Sequence, residues 1–495
     1  MQRPIIVAGF ALAVAGLPAV AQEAGLLPDS AVTTSHTVTI KGVRVPYTAT
    51  AGTLPIREEG KVTARVFYVA YVRSDVTDRS KRPLFISFNG GPGSSSVWMH
   101  MGYTGPRRVT YDAEGFALRP PGGLQDNPHS ILDIADIVYI DPVATGFSRM
   151  VEGEDPHRYH GVYEDIRSVG EFVRLWVTRN DRWDSPKFVI GESYGTTRAA
   201  GLAGWLQAQH RMYLNGVILV SMTGLDVERG EDVANATQLP HYTATAWYHK
   251  RLPADLQAKP LRALLDEAEA FAMGPYLAAL VKGQDLPAAE RRAVADAAAR
   301  LTGLSSEYLL SANLRVSKGR YRKELMRDQR TTVGRLDARY TGVDADAAGE
   351  QNEYDPAMSD WNGAFTTAVN LYLRQVLRFD PDLEYNIFGP VSPWKRDPPY
   401  DTGDALRRAM TENPYLKVLV QGGYYDGATD YFSAVYTIGH LQPGGELRDR
   451  FRFSWYESGH MMYLRDEDLA RSNEDLREFV RWALEGGTAR RAATQ

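Results

Sequence analysis

Cysteine is absent from all 495 residues. That excludes disulfides, thiolate metal sites, iron–sulfur clusters and a cysteine nucleophile. A basic excess is absent as well. Lys and Arg number 56 against 61 Asp and Glu, a net charge of −5, and phosphate backbones need a concentrated basic face, so nucleic acid is not an expected partner. The glycine-rich segment at residues 89–96 contains no Lys and no G-K-[ST], which argues against a phosphate cradle. His157-x-x-His160 has no third ligand nearby in sequence, and residues 344–350 lack the ligand count of a calcium loop. No metal or other cofactor is expected. No internal repeat stands out, and after residue 21 no apolar run approaches the ~20 residues needed to span a bilayer.

The first residues, MQRPIIVAGFALAVAGLPAVAQ, combine Arg3, an apolar run over residues 5–15, Pro18 and Ala19-Val20-Ala21. This is the pattern of a secretory signal over residues 1–21, cut before Gln22. The mature chain is expected to be secreted or periplasmic, with no membrane span.

The whole chain is 44% hydrophobic and 24% charged, a globular composition. Apolar, β-branched runs predict strands at residues 62–72, 84–88, 134–140, 188–190, 217–220, 416–420 and 451–456. Helical patterns fall between many of them. Residues 163–177 carry a stripe of Ile166, Val169, Phe172, Val173 and Trp176, and residues 196–209 and 469–484 also read as helices. Continuous apolar strands alternating with helices predict an α/β fold, a mostly parallel central sheet covered on both faces. Residues 62–72 look antiparallel and solvent-facing on one side. From 226 to 390 Ala, Leu, Glu and Arg dominate, strand signals nearly vanish, and the stretch reads as a helical insertion. The expected division is 22–225 for the first part of the core, 226–390 for the insertion (a cap) and 391–495 for the second part. The basic run at 318–323, with Arg327 and Arg330, reads as a solvated helix face, and residues 344–350 as a solvated loop.

Gly191-Glu192-Ser193-Tyr194-Gly195 fits G-x-S-x-G, between a predicted strand and a predicted helix. A sharp strand-to-helix turn with small flanking residues projects a serine hydroxyl above the sheet. That hydroxyl needs a base, and the base needs a third group to fix its tautomer. Chain order Ser, acid, His limits the base to histidines after Ser193. His460 directly follows a late strand, whereas His210, His241, His249 and His440 do not. The acid should leave the preceding strand. Asp426 does so after a glycine turn and is favoured over Asp430. Residues 84–88 lead into Asn89-Gly90-Gly91-Pro92-Gly93, a loop placed to supply an oxyanion N–H, with the N–H of Tyr194 as the second donor. Trp98, Tyr103 and Tyr194 are candidate pocket aromatics.

These segments resemble the serine carboxypeptidase family of the α/β-hydrolase fold, particularly its bacterial, signal-bearing members. The resemblance rests on N-G-G-P-G at 89–93, Gly105-Pro106, Asp141-Pro142 with Gly146-Phe147-Ser148, G-E-S-Y-G at 191–195, Gly423 with Asp426, and Ser458-Gly459-His460. It implies removal of single residues from peptide C-termini, with peptide as the partner. It implies Ser193, Asp426 and His460 as the triad and Gly91 and Tyr194 as oxyanion donors. Asn89, the N–H of Gly90 and Glu192 would hold the substrate's terminal carboxylate, with a proton shared between the two carboxyl groups. Three departures stand out: Ser94 occupies a position where the family often has a bonded Cys, Gly102-Tyr103-Thr104 precede Gly105-Pro106 without an acidic residue, and Met462-Tyr463 follow the histidine in place of a common Val-Pro. Alternative readings are a proline iminopeptidase-like aminopeptidase, an acyltransferase or esterase on the same fold, and an inert binding protein.

Overall fold

A computed structural model describes residues 26–225, 227, 229–395 and 399–485. The expected signal at 1–21 lies outside the described residues.

The chain opens with three long antiparallel strands, β1 (Ala31–Ile40), β2 (Val43–Glu58) and β3 (Lys61–Arg73). Only two residues join each pair, Lys41-Gly42 and Glu59-Gly60, and all four have positive φ. That geometry matches the right-handed twist of the flanking strands. Six further strands follow: β4 (Leu84–Phe88), β5 (Asp136–Ile140), β6 (Lys187–Glu192), β7 (Gly216–Val220), β8 (Lys417–Gly423) and β9 (Phe451–Tyr456). The sheet order is β1-β2-β3-β5-β4-β6-β7-β8-β9, with a two-residue strand, Arg149–Met150, also on β3. From β5 to β9 every pairing is parallel. The mostly parallel sheet expected from the apolar runs is therefore present.

Alternation within those runs builds a core on each face. Phe85, Ile137, Phe188 and Ile218 join one cluster; Ile86, Val138, Val189 and Val217 join the other. Helices α1 (Val162–Arg179), α2 (Tyr194–His210) and α5 (Thr402–Glu412) cover the second face. Helix α7 (Asp466–Glu485) covers the first, through Leu469, Leu476 and Phe479.

The stretch at 226–390 has two fates. Its helices from α3 (Glu231–Tyr248) to Lys318–Glu324 bury a third cluster of their own, which also takes in Tyr424, Tyr425 and Tyr431 from the core. Helix α4 (Pro356–Leu371), in contrast, inserts Trp361 and Phe365 into the cluster on the first face of the sheet.

Three sequence expectations need correction, and two strands carry no clear sequence signal. Residues 62–72 are not solvent-facing on one side, because Val66 to Tyr71 are all buried between the two core clusters. The strand expected at 134–140 starts at Asp136, because Ser130 caps a single helical turn, Ile131–Asp133, whose end is Ile134. Strands β1 and β2 carry too few continuous apolar residues to register as core strands. The basic run is not a solvated face: Tyr321 is fully buried, and the Lys323 ammonium, 5% accessible, pairs with the Asp344 carboxylate, 3% accessible. Residues 345–350 stay largely exposed, so in that loop only Asp344 departs from the solvated reading: its charge and that of Lys323 neutralise each other across a fold-dependent contact. Among the described residues no helix is long and apolar enough to cross a membrane.

Candidate active site

Ser193 stands between β6 and α2 with φ 59° and ψ −129°. A non-glycine residue in this region is strained and persists only where its surroundings enforce it. The neighbours do so by close approach. A Cβ added to Gly191 would lie 2.1 Å from the Gly195 carbonyl oxygen. The Ser193 N–H donates to the Val220 carbonyl (2.9 Å), tying the turn to the next strand. The hydroxyl lines a cavity of about 200 Å³, together with His460 and the loop after β4.

His460 follows β9. Its Nδ1 meets Asp426 Oδ2 at 2.7 Å, and both side chains are buried. With Nδ1 so engaged, Nε2 is the ring atom left for Ser193. Asp426 also accepts from the N–H groups of Ala428 (2.8 Å) and Thr429 (2.9 Å) and from the Thr429 hydroxyl (2.6 Å). Burial works against charge on both partners. For Asp426 the charge and hydrogen bond of His460, with those from Thr429, outweigh it and hold the carboxyl below the usual range. For His460 the Asp426 carboxylate outweighs it and lifts the imidazole above its ordinary value. Asp430, the competing acid, is engaged elsewhere. It caps α6 (Tyr431–Leu441) through the Ser433 N–H and pairs with Lys318 at 2.8 Å.

Two contacts that sequence reasoning missed hold the His460 loop. The His460 N–H donates to the Leu336 carbonyl (2.7 Å), and the Gly459 N–H to Asp337 Oδ2 (3.2 Å). Asp337 forms a buried pair with Arg339 at 2.6 Å. A Cβ on Gly459 would fall 2.4 Å from the Asp337 side chain. The same segment reaches the acid's loop, where the Ala338 N–H donates to the Tyr425 carbonyl (2.8 Å).

On the opposite wall, the loop at 89–94 is fixed from two sides. Arg198 on α2 donates to the Asn89 carbonyl (2.6 Å) and to Asp165 (2.8 Å), and Asp165 also accepts from the Tyr194 hydroxyl (3.0 Å). The Asn89 Oδ1 accepts from the Met99 N–H (2.9 Å). Asp141 accepts from the Ser96 N–H and hydroxyl (2.8 and 2.7 Å), which accounts for the Asp141-Pro142 motif as a brace. Gly90 and Gly91 line the cavity beside Ser193. Gly91, in the loop after β4, and Tyr194, the first residue of α2, are the expected oxyanion donors and flank the nucleophile.

Glu192 is 2% exposed and lines the same cavity. Its Oε2 accepts from Asn89 Nδ2 and from the Tyr463 hydroxyl (2.7 Å), while Oε1 is buried without a partner. Burial pushes the carboxyl up to about 7, against the opposing pull of His460, Tyr463 and Asn89. Tyr463 explains two departures at once. Its ring fills the space beside Gly102, where a Cβ would be 2.7 Å from Tyr463 Cε2, and it stacks on Tyr103 at 4.9 Å. A phenol reaching from after the histidine thus approaches Glu192 in a region where no acidic residue precedes Gly105. Of the candidate pocket aromatics, Trp98 lines the cavity, Tyr103 lies behind Tyr463, and the Tyr194 ring packs against Trp394. Among the described residues no group of three His, Asp or Glu side chains is arranged to hold a metal.

A parallel sheet with a strained serine elbow, followed in the chain by an aspartate and a histidine that meet at its edge, defines the α/β-hydrolase class. Within that class, the family model of the serine carboxypeptidases matches residues 42–266. The pheromone-processing carboxypeptidase KEX1 of Saccharomyces cerevisiae is 34% identical over 126 residues, 23% of this chain and 16% of that protein. Serine carboxypeptidase-like 45 of Arabidopsis thaliana is 30% identical over 141 residues, 28% of this chain and 27% of its own length. The matched segments span less than a third of these relatives. The crystal structure of the yeast prohormone-processing carboxypeptidase Kex1 superposes with a TM-score of 0.57 at 16% identity, covering 88% of this chain and 91% of that one. The resemblance to the serine carboxypeptidase family read from the motifs therefore holds in sequence, and the α/β-hydrolase fold holds over most of the chain.

Proposed function

We propose that the protein is an exported serine carboxypeptidase that releases C-terminal residues from peptides, with residues 226–390 as its cap. The observation that carries this reading is a buried carboxyl with a free oxygen, Glu192 Oε1, in the same cavity as Ser193 and His460. A protonated Glu192 donates a hydrogen bond to the terminal carboxylate of a substrate, helped by Asn89 and the Gly90 N–H. A carboxylate held there leaves the adjoining peptide carbonyl over Ser193.

In this mechanism His460 Nε2 takes the Ser193 proton as the oxygen attacks the carbonyl carbon. Asp426 keeps Nδ1 protonated and supports the imidazolium that forms. The N–H groups of Gly91 and Tyr194 receive the oxyanion, each worth roughly 3 kcal/mol of barrier. The imidazolium then gives its proton to the departing amine, the C–N bond breaks, and the C-terminal residue leaves. Water, deprotonated by His460, attacks the acyl-serine and regenerates the hydroxyl.

The pH dependence has two limbs. His460 is a base only when neutral, so turnover falls as pH drops through its raised pKa. Glu192 binds a carboxylate only when protonated, so peptide binding weakens as pH rises through about 7.

The test is an N-blocked peptide with a free C-terminus. Wild-type protein should release its last residue, and Ser193→Ala should lose at least ~10⁴-fold of that rate. Cleavage only of N-free, C-amidated peptides points to an aminopeptidase, and failure of a fluorophosphonate to label Ser193 in folded protein points to a binding protein. N-terminal sequencing of exported protein should begin at Gln22.

A further inference from the structure

The described charged side chains on the cavity wall, apart from the triad histidine, are Glu192 and Arg335. Glu192 belongs to the carboxylate-binding reading above. Arg335 has no role in it. Its side chain is exposed, and among the described residues no hydrogen bond or ion pair engages the guanidinium. The neighbouring Asp355 does not neutralise it by contact, because its two oxygens accept from the backbone N–H groups of Arg335 (3.0 Å), Leu336 (3.0 Å) and Ala357 (3.2 Å). Those bonds fix the Arg335 backbone. The next residue, Leu336, is fixed in turn by the His460 N–H at its carbonyl. An unpaired cation is therefore mounted on a rigid segment braced against the catalytic base. Arg322 lies near enough for its charge to act on Arg335, and the Asp355 carboxylate opposes it there. Most of the rest of the wall is apolar, with Trp98, Trp361, Phe388, Met358 and Met461.

We infer that Arg335 is a specificity-determining residue that selects substrates whose C-terminal, leaving residue carries a carboxylate side chain, glutamate above all. This inference rests on the carboxypeptidase reading. If Glu192 and Asn89 hold the terminal carboxylate, the side chain of that same residue lies along the cavity wall. The apolar surface suits the methylenes of glutamate, and the guanidinium suits its carboxylate, which it meets with paired donors. Its exposure limits the gain to about fivefold over the isosteric amide, the scale of a surface ion pair, and salt should erode it.

The experiment uses N-blocked dipeptides that differ only in the last residue, Glu, Gln, Leu or Lys, with the full-length mature protein. The expected wild-type kcat/KM is about fivefold higher for Glu than for Gln, and the ratio falls towards one in 0.5 M salt. In Arg335→Met the Glu-to-Gln ratio collapses to about one. In Arg335→Glu the order inverts, with Lys above Glu. A wild-type Glu-to-Gln ratio near one overturns the inference. So does an equal loss on all four peptides in Arg335→Met, which would assign Arg335 to the terminal carboxylate. If no peptide is cut although Ser193 is labelled by a fluorophosphonate, it is the carboxypeptidase reading that fails. Calorimetric binding of the same peptides to Ser193→Ala then decides the inference separately: preference for the Glu peptide that disappears with Arg335→Met sustains it, and indifference overturns it.

Discussion

Ser193 and His460 face one cavity but are held there by different means. The turn at Ser193 is shaped by Gly191 and Gly195 within two residues of it and by the adjoining loop at 89–94. His460 and Asp426 leave the last two strands on loops gripped by a distant segment of the chain. The Gly459–Asp337 bond spans 122 positions and the Lys318–Ala428 bond 110. The nucleophile's own turn is set by local sterics, although the loop beside it is held from afar (the Arg198–Asn89 bond spans 109 positions), whereas the base is set throughout by long-range hydrogen bonds from the segment between β7 and β8. A substitution near the nucleophile should therefore act at once on chemistry. One in the distant segment should act through stability and the geometry of the base.

Four substitutions test that contrast, from the largest expected effect to the smallest. Gly191→Ala drives a Cβ into the Gly195 carbonyl, so the elbow must shift; fluorophosphonate labelling of Ser193 should slow by at least ~100-fold. Asp337→Asn leaves Arg339 buried without its counter-charge. Stability should fall by about 3 kcal/mol in a urea melt, and kcat by roughly tenfold with little change in KM. A urea midpoint within error of wild type would show that this segment does not hold the base.

Lys318→Met should cost about 1–2 kcal/mol and change the acid limb of stability. Burial would raise the Asp430 carboxyl, and Lys318 holds it below its usual value. That contribution is present above the unfolded pKa and is lost as pH falls through the folded one. Without Lys318 the folded pKa rises, so acid unfolding, followed by circular dichroism, should begin at a higher pH. Tyr463→Phe is the finest probe. Burial raises Glu192, and the Tyr463 hydroxyl opposes it by stabilising the ionised form. Its removal raises the pKa further, so the pH at which KM for a peptide begins to climb should move up. A downward move would reverse the assigned role of that hydrogen bond.

Much of the site was legible because its elements are local. G-E-S-Y-G and N-G-G-P-G each encode a turn that few other residues can make, and chain order with strand ends narrowed the base and its acid to His460 and Asp426. Other parts were not legible for a physical reason. Tyr463 reaches Glu192 across 271 positions, and the pair only makes sense once Gly102 leaves room for the ring. Lys323 and Asp344 read as solvated charges because neither shows its partner in a local window. Strands β1 and β2 alternate threonine with apolar residues at the sheet edge, a weaker signal than the continuous apolar runs of buried parallel strands; the two-residue turns ending in Gly42 and Gly60 were the cue that would have found them.

By itself the sequence determined the alternating strands and helices, the strained serine turn and the glycine loop beside it, because steric preference and hydrophobic period act over a few residues. Only the tertiary structure decided which partners brace the histidine, which hydroxyl reaches Glu192 and which cation on the same cavity wall is left, among the described residues, without a partner. Those outcomes depend on side chains that meet only when the sheet has closed and the segment between β7 and β8 has folded back upon it.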